Sequence, residues 1–120
     1  MADLKKLVDE MADRNKELAA GPLGEYLTAW RRFTALAHKN DALTRKDKEL
    51  IAVAISVAKR CERCIAYHVR SALSEGARTQ EVLEASFVAV MMEGGPALAH
   101  IGLVMDAITA FEKKENEQAA

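Results

Sequence analysis

The chain has 120 residues, of which 50% are hydrophobic and 29% are charged. This size and composition are typical of one globular domain and exclude a disordered or low-complexity protein. The formal net charge of -1 lacks the basic excess that binding to a nucleic-acid backbone requires, so we expect no nucleic-acid partner. The longest apolar run, residues 50–58, is far shorter than the roughly 18 residues of a membrane span, and the N-terminus has no signal-peptide pattern. We therefore expect no membrane association and a cytoplasmic location.

The amino-acid usage favours helices over strands. Alanine occurs 22 times and leucine 12 times, whereas the chain has only six aromatic residues. We predict an all-α fold of about six helices in a single domain that spans residues 1–120. Two amphipathic helices are expected within residues 3–39, followed by a core at residues 44–112.

The first predicted helix carries apolar residues at a 3.6-residue period from Leu4 to Leu18 and ends at Gly21. Pro22 is predicted to lie in the first turn of the second helix, where proline is tolerated. The second helix presents bulky side chains on one face, and we expect these side chains to anchor it: Leu23, Tyr26, Leu27, Trp30 and Phe33.

Thr44 and Asp47 form a capping pattern at the start of a third helix. The body of this helix, residues 50–58, is apolar on every side, which is typical of a segment surrounded by other helices or sealed by a partner subunit. Because such a helix adds more apolar surface than one small core readily hides, we expect a homo-oligomer.

Turn signals divide the rest of the chain into three helices. A break near Arg60 precedes a fourth helix at residues 61–75, and Gly76 is predicted to close it as a left-handed cap. Thr79 is expected to cap a fifth helix. The Gly-Gly-Pro break that follows is expected to start a sixth helix at residues 97–112.

Two thiols and an imidazole share one face of the predicted fourth helix. At about 100° per residue, Cys64 lies about 60° from Cys61, and His68 lies about 20° from Cys61. A thiol at a helix N-terminus is favoured as the thiolate, and a Cys-x-x-Cys pair can close a small disulfide ring. His68 follows Cys64 by four residues and can accept its proton. The segment therefore predicts thiol–disulfide chemistry.

Glu49 is the acid best placed to orient His68. If the third and fourth helices form an antiparallel hairpin about Arg60, Glu49 lies eleven residues before the pivot and His68 lies eight residues after it. At about 1.5 Å per residue the axial mismatch is about 4.5 Å, so Glu49 can reach His68. His38 and His100 have no partner at such spacings, and we interpret them as structural or surface groups.

The spacing of these four residues resembles that of the AhpD-like alkylhydroperoxidases within the carboxymuconolactone decarboxylase superfamily; the residues are Glu49, Cys61, Cys64 and His68. The Met-Met-Glu-Gly-Gly-Pro segment at residues 91–96 is similar to the small-residue break before the final helix of that family. The resemblance covers residues 44–110.

The resemblance implies a helical domain that assembles into trimers or hexamers and acts as an antioxidant enzyme, a thiol-dependent peroxidase or disulfide reductase. Cys64 would attack the peroxide, and Cys61 would resolve the product to a disulfide. Glu49 and His68 would promote the ionisation of Cys64. A dithiol or protein reductant would then restore the pair, so peroxide and reductant are the expected partners, and no cofactor is expected. Peroxidases of the family often carry a histidine between the cysteines, where this chain has Arg63.

Other interpretations stay open. The cysteines, His68 and Glu49 could form a tetrahedral zinc site, but Cys61 and His68 are seven residues apart, about 10.5 Å along a helix, so we expect no metal. The cysteines could also be buried core residues. Finally, the chain could be a carboxymuconolactone decarboxylase-like protein without peroxidase activity, or a non-enzymatic assembly protein that senses oxidation.

Overall fold

The computed structural model describes the backbone of residues 3–119 and the side chains of residues 3–112. All regular secondary structure in this part of the chain is helical, which confirms the all-α prediction. The structure has six long helices and one short one, in this order: α1 (Leu4–Ala20), α2 (Gly24–His38), α3 (Arg45–Ala58), α4 (Glu62–Ser74), α5 (Thr79–Glu93), α6 (Gly95–Leu98) and α7 (Ile101–Ala119).

The core is centred on α4, which packs against α1, α3 and α7, while α5 packs against α3 and α7. Four of these helices contribute fully buried branched side chains, which are Val53 and Val57 of α3, Ile65 and Val69 of α4, Val82 of α5 and Val104 of α7. Burying a side chain of this size stabilises a fold by about 1.5–3 kcal/mol relative to leaving it exposed. The packing of α3 against α4 therefore gives the candidate site a rigid base.

Two predicted helix ends are confirmed. The Thr44 hydroxyl accepts a hydrogen bond of 3.1 Å from the backbone N–H of Asp47, which satisfies a donor in the first turn of α3. Gly76 has a φ of 93°, and its N–H donates to the carbonyl of Leu73 after α4 ends. This left-handed position closes α4 as the glycine predicts.

Two predicted helix starts are wrong. Pro22 lies in the turn before α2 rather than in its first turn, because α2 begins only at Gly24. Thr79 is the first residue of α5 rather than its cap. The cap is Arg78, whose backbone N–H donates to the Glu81 carboxylate at 2.9 Å. The acid inside the helix therefore supplies the capping contact that was assigned to the threonine.

The predicted sixth helix is divided in two. The four-residue α6 follows Gly94, which has a φ of 73°, and two residues separate α6 from the start of α7 at Ile101. Within the described part of the chain, no helix, α7 included, is long and apolar enough to span a bilayer.

α2 is packed less fully than its apolar pattern predicts. Of its five predicted anchors only Leu27 is buried, and the other four are 48–73% exposed: Leu23, Tyr26, Trp30 and Phe33. The reason is that α2 packs mainly against α1, so that its other face lies at the surface of the single chain. The apolar helix α3 likewise buries one side and exposes Ile51 and Ile55.

Candidate functional site

The turn between α3 and α4 positions the cysteines. The N–H of Arg60 donates to the carbonyl of Val57, and the N–H of Cys61 donates to the carbonyl of Ser56. These two bonds form a left-handed helix end in which Arg60, with a φ of 54°, occupies the position usually taken by glycine. The chain reverses here, and Cys61 becomes the N-cap of α4.

Cys61 and Cys64 form a disulfide at the N-terminal end of α4, with their Cα atoms 5.2 Å apart. Cys61 precedes the helix instead of starting it, and its Sγ accepts a hydrogen bond of 3.2 Å from the backbone N–H of Cys64. Both residues are half-buried. Because the N-terminus of a helix carries partial positive charge, it favours the thiolate form of both cysteines once the pair is reduced.

The hairpin brings Glu49 and His68 together. The Glu49 side chain is only 5% exposed, and its Oε2 lies 2.8 Å from Nδ1 of His68. Because a carboxylate only accepts hydrogen bonds, the Nδ1 atom is the donor. In the neutral imidazole, the Nε2 atom of His68 is then the acceptor and can receive a proton from another group.

The ring of His68 is held on a second side by Tyr67. The two rings meet edge to face, with centroids 5.0 Å apart and an interplanar angle of 87°. His68 itself lies one helical turn after Cys64, on the same side of α4. A carboxylate, an oriented imidazole and a half-buried cysteine therefore follow one another along the α3–α4 hairpin.

His38 is the residue that the sequence analysis missed. Its Nε2 lies 2.6 Å from Oε1 of Glu49, so interpreting it as a group without a partner is wrong. The Nε2 atom is buried, and its short approach to Oε1 is not aligned as a regular hydrogen bond. Only six residues separate α2 from α3, which keeps His38 close to the first turns of α3 and is the one sequence signal for this contact. His100 instead contacts the carbonyl of Pro96 at 2.8 Å.

Arg63, one of the two residues between the cysteines, points away from the protein interior. It is exposed and lines an open groove of about 580 Å³ against four residues of α1, which are Glu10, Met11, Arg14 and Asn15. The disulfide therefore lies next to a surface that carries two guanidinium groups.

The atoms of the site that could bind a metal ion are already in contact with one another. The two sulfurs are bonded together, and both oxygens of Glu49 face imidazole nitrogens. Within residues 3–112, no group of three or more His, Cys, Asp or Glu side chains is arranged to hold a metal ion.

Known proteins resemble the chain in sequence. The family model of the carboxymuconolactone decarboxylase family matches residues 24–107. Uncharacterized protein 4 of the cox locus of Paracoccus denitrificans is 38% identical over 97 residues, which are 75% of this chain and 87% of the relative. An uncharacterized protein of Cupriavidus necator is 30% identical over 115 residues, which are 90% of this chain and 97% of the relative.

Solved structures resemble the chain in fold. A carboxymuconolactone decarboxylase family protein from Legionella pneumophila has a TM-score of 0.81 at 32% identity, covering 92% of this chain and 95% of that one. A family member from Thermotoga maritima, for which a part in the antioxidative response has been suggested, has a TM-score of 0.82 at 23% identity, covering 96% of this chain and 97% of that one. The resemblance inferred from the motif spacing is confirmed, and the chain belongs to the carboxymuconolactone decarboxylase family, in the AhpD-like superfamily.

Proposed function

We propose that the protein is a thiol-dependent peroxidase in which Cys64 reacts with the peroxide and Cys61 resolves the product. The observation that carries this proposal is the hydrogen bond between the buried Glu49 carboxylate and His68, which lies one helical turn after a disulfide-forming cysteine. A buried carboxylate is costly unless it is paired, and a purely structural disulfide needs no acid–base pair beside it.

The proposed cycle begins with attack of the Cys64 thiolate on one oxygen of the hydroperoxide. The O–O bond breaks, an S–O bond forms, and the second oxygen leaves as an alcohol or water after taking up a proton. The Cys61 thiol then attacks the sulfenic sulfur, so that an S–S bond forms and water is released. A dithiol reduces this disulfide by exchange and is itself oxidised to a disulfide.

His68 is the proposed proton carrier. Its Nε2 receives the proton of the Cys64 thiol and returns it to the departing oxygen of the peroxide. Glu49 accepts the hydrogen bond from Nδ1 and so keeps Nε2 available as the base. Proton transfer by a positioned group of this kind contributes about 10²- to 10⁴-fold to a rate.

The position of Cys61 suits the resolving step. Its Cα lies 5.2 Å from that of Cys64 in the disulfide, within the range of roughly 4.4–6.8 Å that disulfides use. Cys61 precedes the first turn, where backbone N–H groups stabilise the thiolate that leaves when the reductant attacks. We assign the attack by peroxide to Cys64 because His68 follows it by one turn.

The proposed reductant is a dithiol compound or a dithiol protein that approaches over Glu62 and Arg63, both of which are exposed beside the disulfide. A cytoplasmic location would supply such dithiols, because that compartment keeps thiols reduced. An antioxidative role has been suggested for the Thermotoga maritima family member. The same role is proposed for this chain on the geometry of its own site.

We further propose that the protein works as a homo-oligomer, a trimer or a hexamer. Large apolar side chains are exposed on several helices of the single chain, among them Tyr26, Trp30 and Phe33 of α2, and Met91 and Met92 of α5. Aromatic residues and methionine are enriched at protein interfaces. Light scattering coupled to size-exclusion chromatography is expected to give three or six times 13.2 kDa, and a monomer would contradict this proposal.

Peroxide consumption by the reduced protein tests the function. Stopped-flow measurements with hydrogen peroxide and with an organic hydroperoxide, in the presence of a dithiol, are expected to show turnover in the wild type. Cys64→Ser should abolish the reaction, whereas reduced Cys61→Ser, freed of dithiol before mixing, should consume about one equivalent and stop at the sulfenic acid. Two sluggish thiols without turnover would contradict the proposal and favour a redox-sensing or decarboxylase-like protein.

A further inference from the structure

His38 lies outside the Cys-x-x-Cys segment and comes from a different helix, yet it contacts the same carboxylate as His68. We propose that His38 is a positioning residue, which holds the Oε1 atom of Glu49 so that Oε2 stays directed at His68. The inference deepens the proposed function and rests on it, because orienting His68 matters only if His68 serves the reactive cysteine.

The contact itself requires a proton on one of the two facing atoms. Nε2 of His38 and Oε1 of Glu49 are 2.6 Å apart, and two atoms that both carry only lone pairs would repel at this distance. With Glu49 as the carboxylate, Nε2 of His38 carries this proton, although its N–H is not aligned on Oε1 as in a regular hydrogen bond. The ring of His38 is 31% exposed, but its Nε2 atom is buried. The polar atom thus faces the carboxylate while the rest of the ring reaches solvent.

Neighbouring contacts fix the end of α2 on the first turns of α3. Lys48, the residue before Glu49, donates from Nζ to the carbonyl of Lys39 at 2.6 Å. The side-chain oxygen of Asn40 accepts a bond of 2.7 Å from the backbone N–H of Arg45. The residues on both sides of the His38–Glu49 contact are therefore held by hydrogen bonds of their own. These bonds keep the end of α2, and with it His38, close to Glu49.

The two histidines divide the carboxylate between them. Each oxygen of Glu49 meets one imidazole nitrogen, at 2.6 Å for His38 and at 2.8 Å for His68, and the carboxylate is almost fully removed from water. Without His38, Oε1 would be a buried acceptor with no donor, which is costly, and the carboxylate would turn toward water or share its oxygens differently. His68 would then lose its fixed orientation.

The effect of His38 should appear at Cys64 and should act through Glu49. We expect His38→Ala to slow the alkylation of reduced Cys64 by iodoacetamide about tenfold, with little change at Cys61, as measured by peptide mass spectrometry. In peroxide turnover the variant should lower kcat/KM for peroxide and leave kcat/KM for the dithiol unchanged. His38→Gln can place an amide N–H near Oε1 and should restore most of the rate. The shorter His38→Asn should not, and comparing these two polar variants keeps the test decisive if His38→Ala folds poorly.

A double-mutant cycle separates positioning from a general structural role. In the Glu49→Gln background, adding His38→Ala should change the Cys64 rate by less than twofold, because the group through which His38 acts is already altered. His100→Ala is the matched control, since it removes a histidine whose ring nitrogen pairs with the backbone carbonyl of Pro96, and its Cys64 rate should equal that of the wild type.

The outcomes distinguish this inference from the proposed function. Equal Cys64 rates in the wild type and His38→Ala, or effects of the two substitutions that multiply in the double variant, would overturn the positioning role alone. A wild type that fails to turn over peroxide, but whose Cys64 alkylation still depends on His38 and Glu49, would overturn the peroxidase proposal and leave the positioning role supported.

Discussion

Replacing Glu49 with glutamine removes the charge at the centre of the site while nearly preserving the shape of the side chain. The structure gives this carboxylate two partners, Nε2 of His38 at 2.6 Å and Nδ1 of His68 at 2.8 Å. Because a carboxylate offers only lone pairs, each nitrogen that faces it carries a proton. A glutamine amide offers one oxygen and one NH₂ group. It can therefore accept from only one of the two histidines, and it places a donor against the other.

Either orientation of the glutamine weakens the proposed relay. If the NH₂ group faces His68, Nδ1 must become the acceptor, and the proton moves to Nε2, which is then no longer a base. If the NH₂ group faces His38, His68 keeps its tautomer but bonds to a neutral oxygen. A hydrogen bond to a charged group contributes about 1.5–3 kcal/mol. Since about 1.4 kcal/mol corresponds to a tenfold change in rate, the loss should be about 10- to 100-fold.

The assay is the rate at which peroxide oxidises reduced Cys64, followed by stopped flow, together with alkylation of each cysteine resolved by mass spectrometry. Glu81→Gln is a matched control, because it changes a partly buried glutamate on another helix, α5, whose carboxylate accepts hydrogen bonds from Lys46 and Arg78. A folded Glu49→Gln protein whose Cys64 reacts within threefold of the wild type would refute the reasoning about the relay.

Three further predictions concern the fold. Arg60→Gly should raise the free energy of unfolding by about 0.5 kcal/mol. A non-glycine residue at a φ of 54° is strained by about 1–2 kcal/mol, and the greater loss of backbone entropy when glycine folds offsets part of the relief. A lower denaturant midpoint for the variant would contradict this. Ile65→Ala should lower that free energy by about 2–5 kcal/mol in urea unfolding, since Ile65 is fully buried beside Cys64; a loss below 1 kcal/mol would contradict the burial. The backbone N–H of Arg78, followed by Lys46, lowers the pKa of Glu81 to about 2 from 4.5. The stability that this group contributes should therefore be complete above about pH 4.5 and be lost as the pH falls toward 2. Glu81→Gln should flatten this part of the plot of unfolding free energy against pH. Parallel plots for the wild type and the variant would contradict this.

Local rules predicted the parts of the structure that depend on neighbours in the chain. Gly76 ends α4 in a left-handed turn, and Thr44 caps α3. Counting the residues on either side of Arg60 predicted the contact between Glu49 and His68. These features follow from backbone sterics, from capping hydrogen bonds and from the rise of a helix, all of which can be evaluated from the sequence alone.

The features that were missed depend on the path of the chain in space. The apolar stripe of α2 predicted that Trp30 and Phe33 avoid water, but such a pattern does not specify whether the same chain or another copy covers them. The contact of His38 with Glu49 depends on how the loop between α2 and α3 folds, and that loop is held by bonds such as Lys48 to Lys39 that no periodic pattern encodes.

The most direct measurement of the central claim is to trap the oxidised sulfur in Cys61→Ser. The reduced variant is treated with one equivalent of peroxide and a reagent that selectively captures sulfenic acids, and the adduct is located by mass spectrometry. We predict one adduct on Cys64, formed within seconds near neutral pH, and a much slower reaction when Glu49→Gln is added. A Cys64 that remains reduced under these conditions, or that reacts equally fast without the carboxylate, would contradict the account.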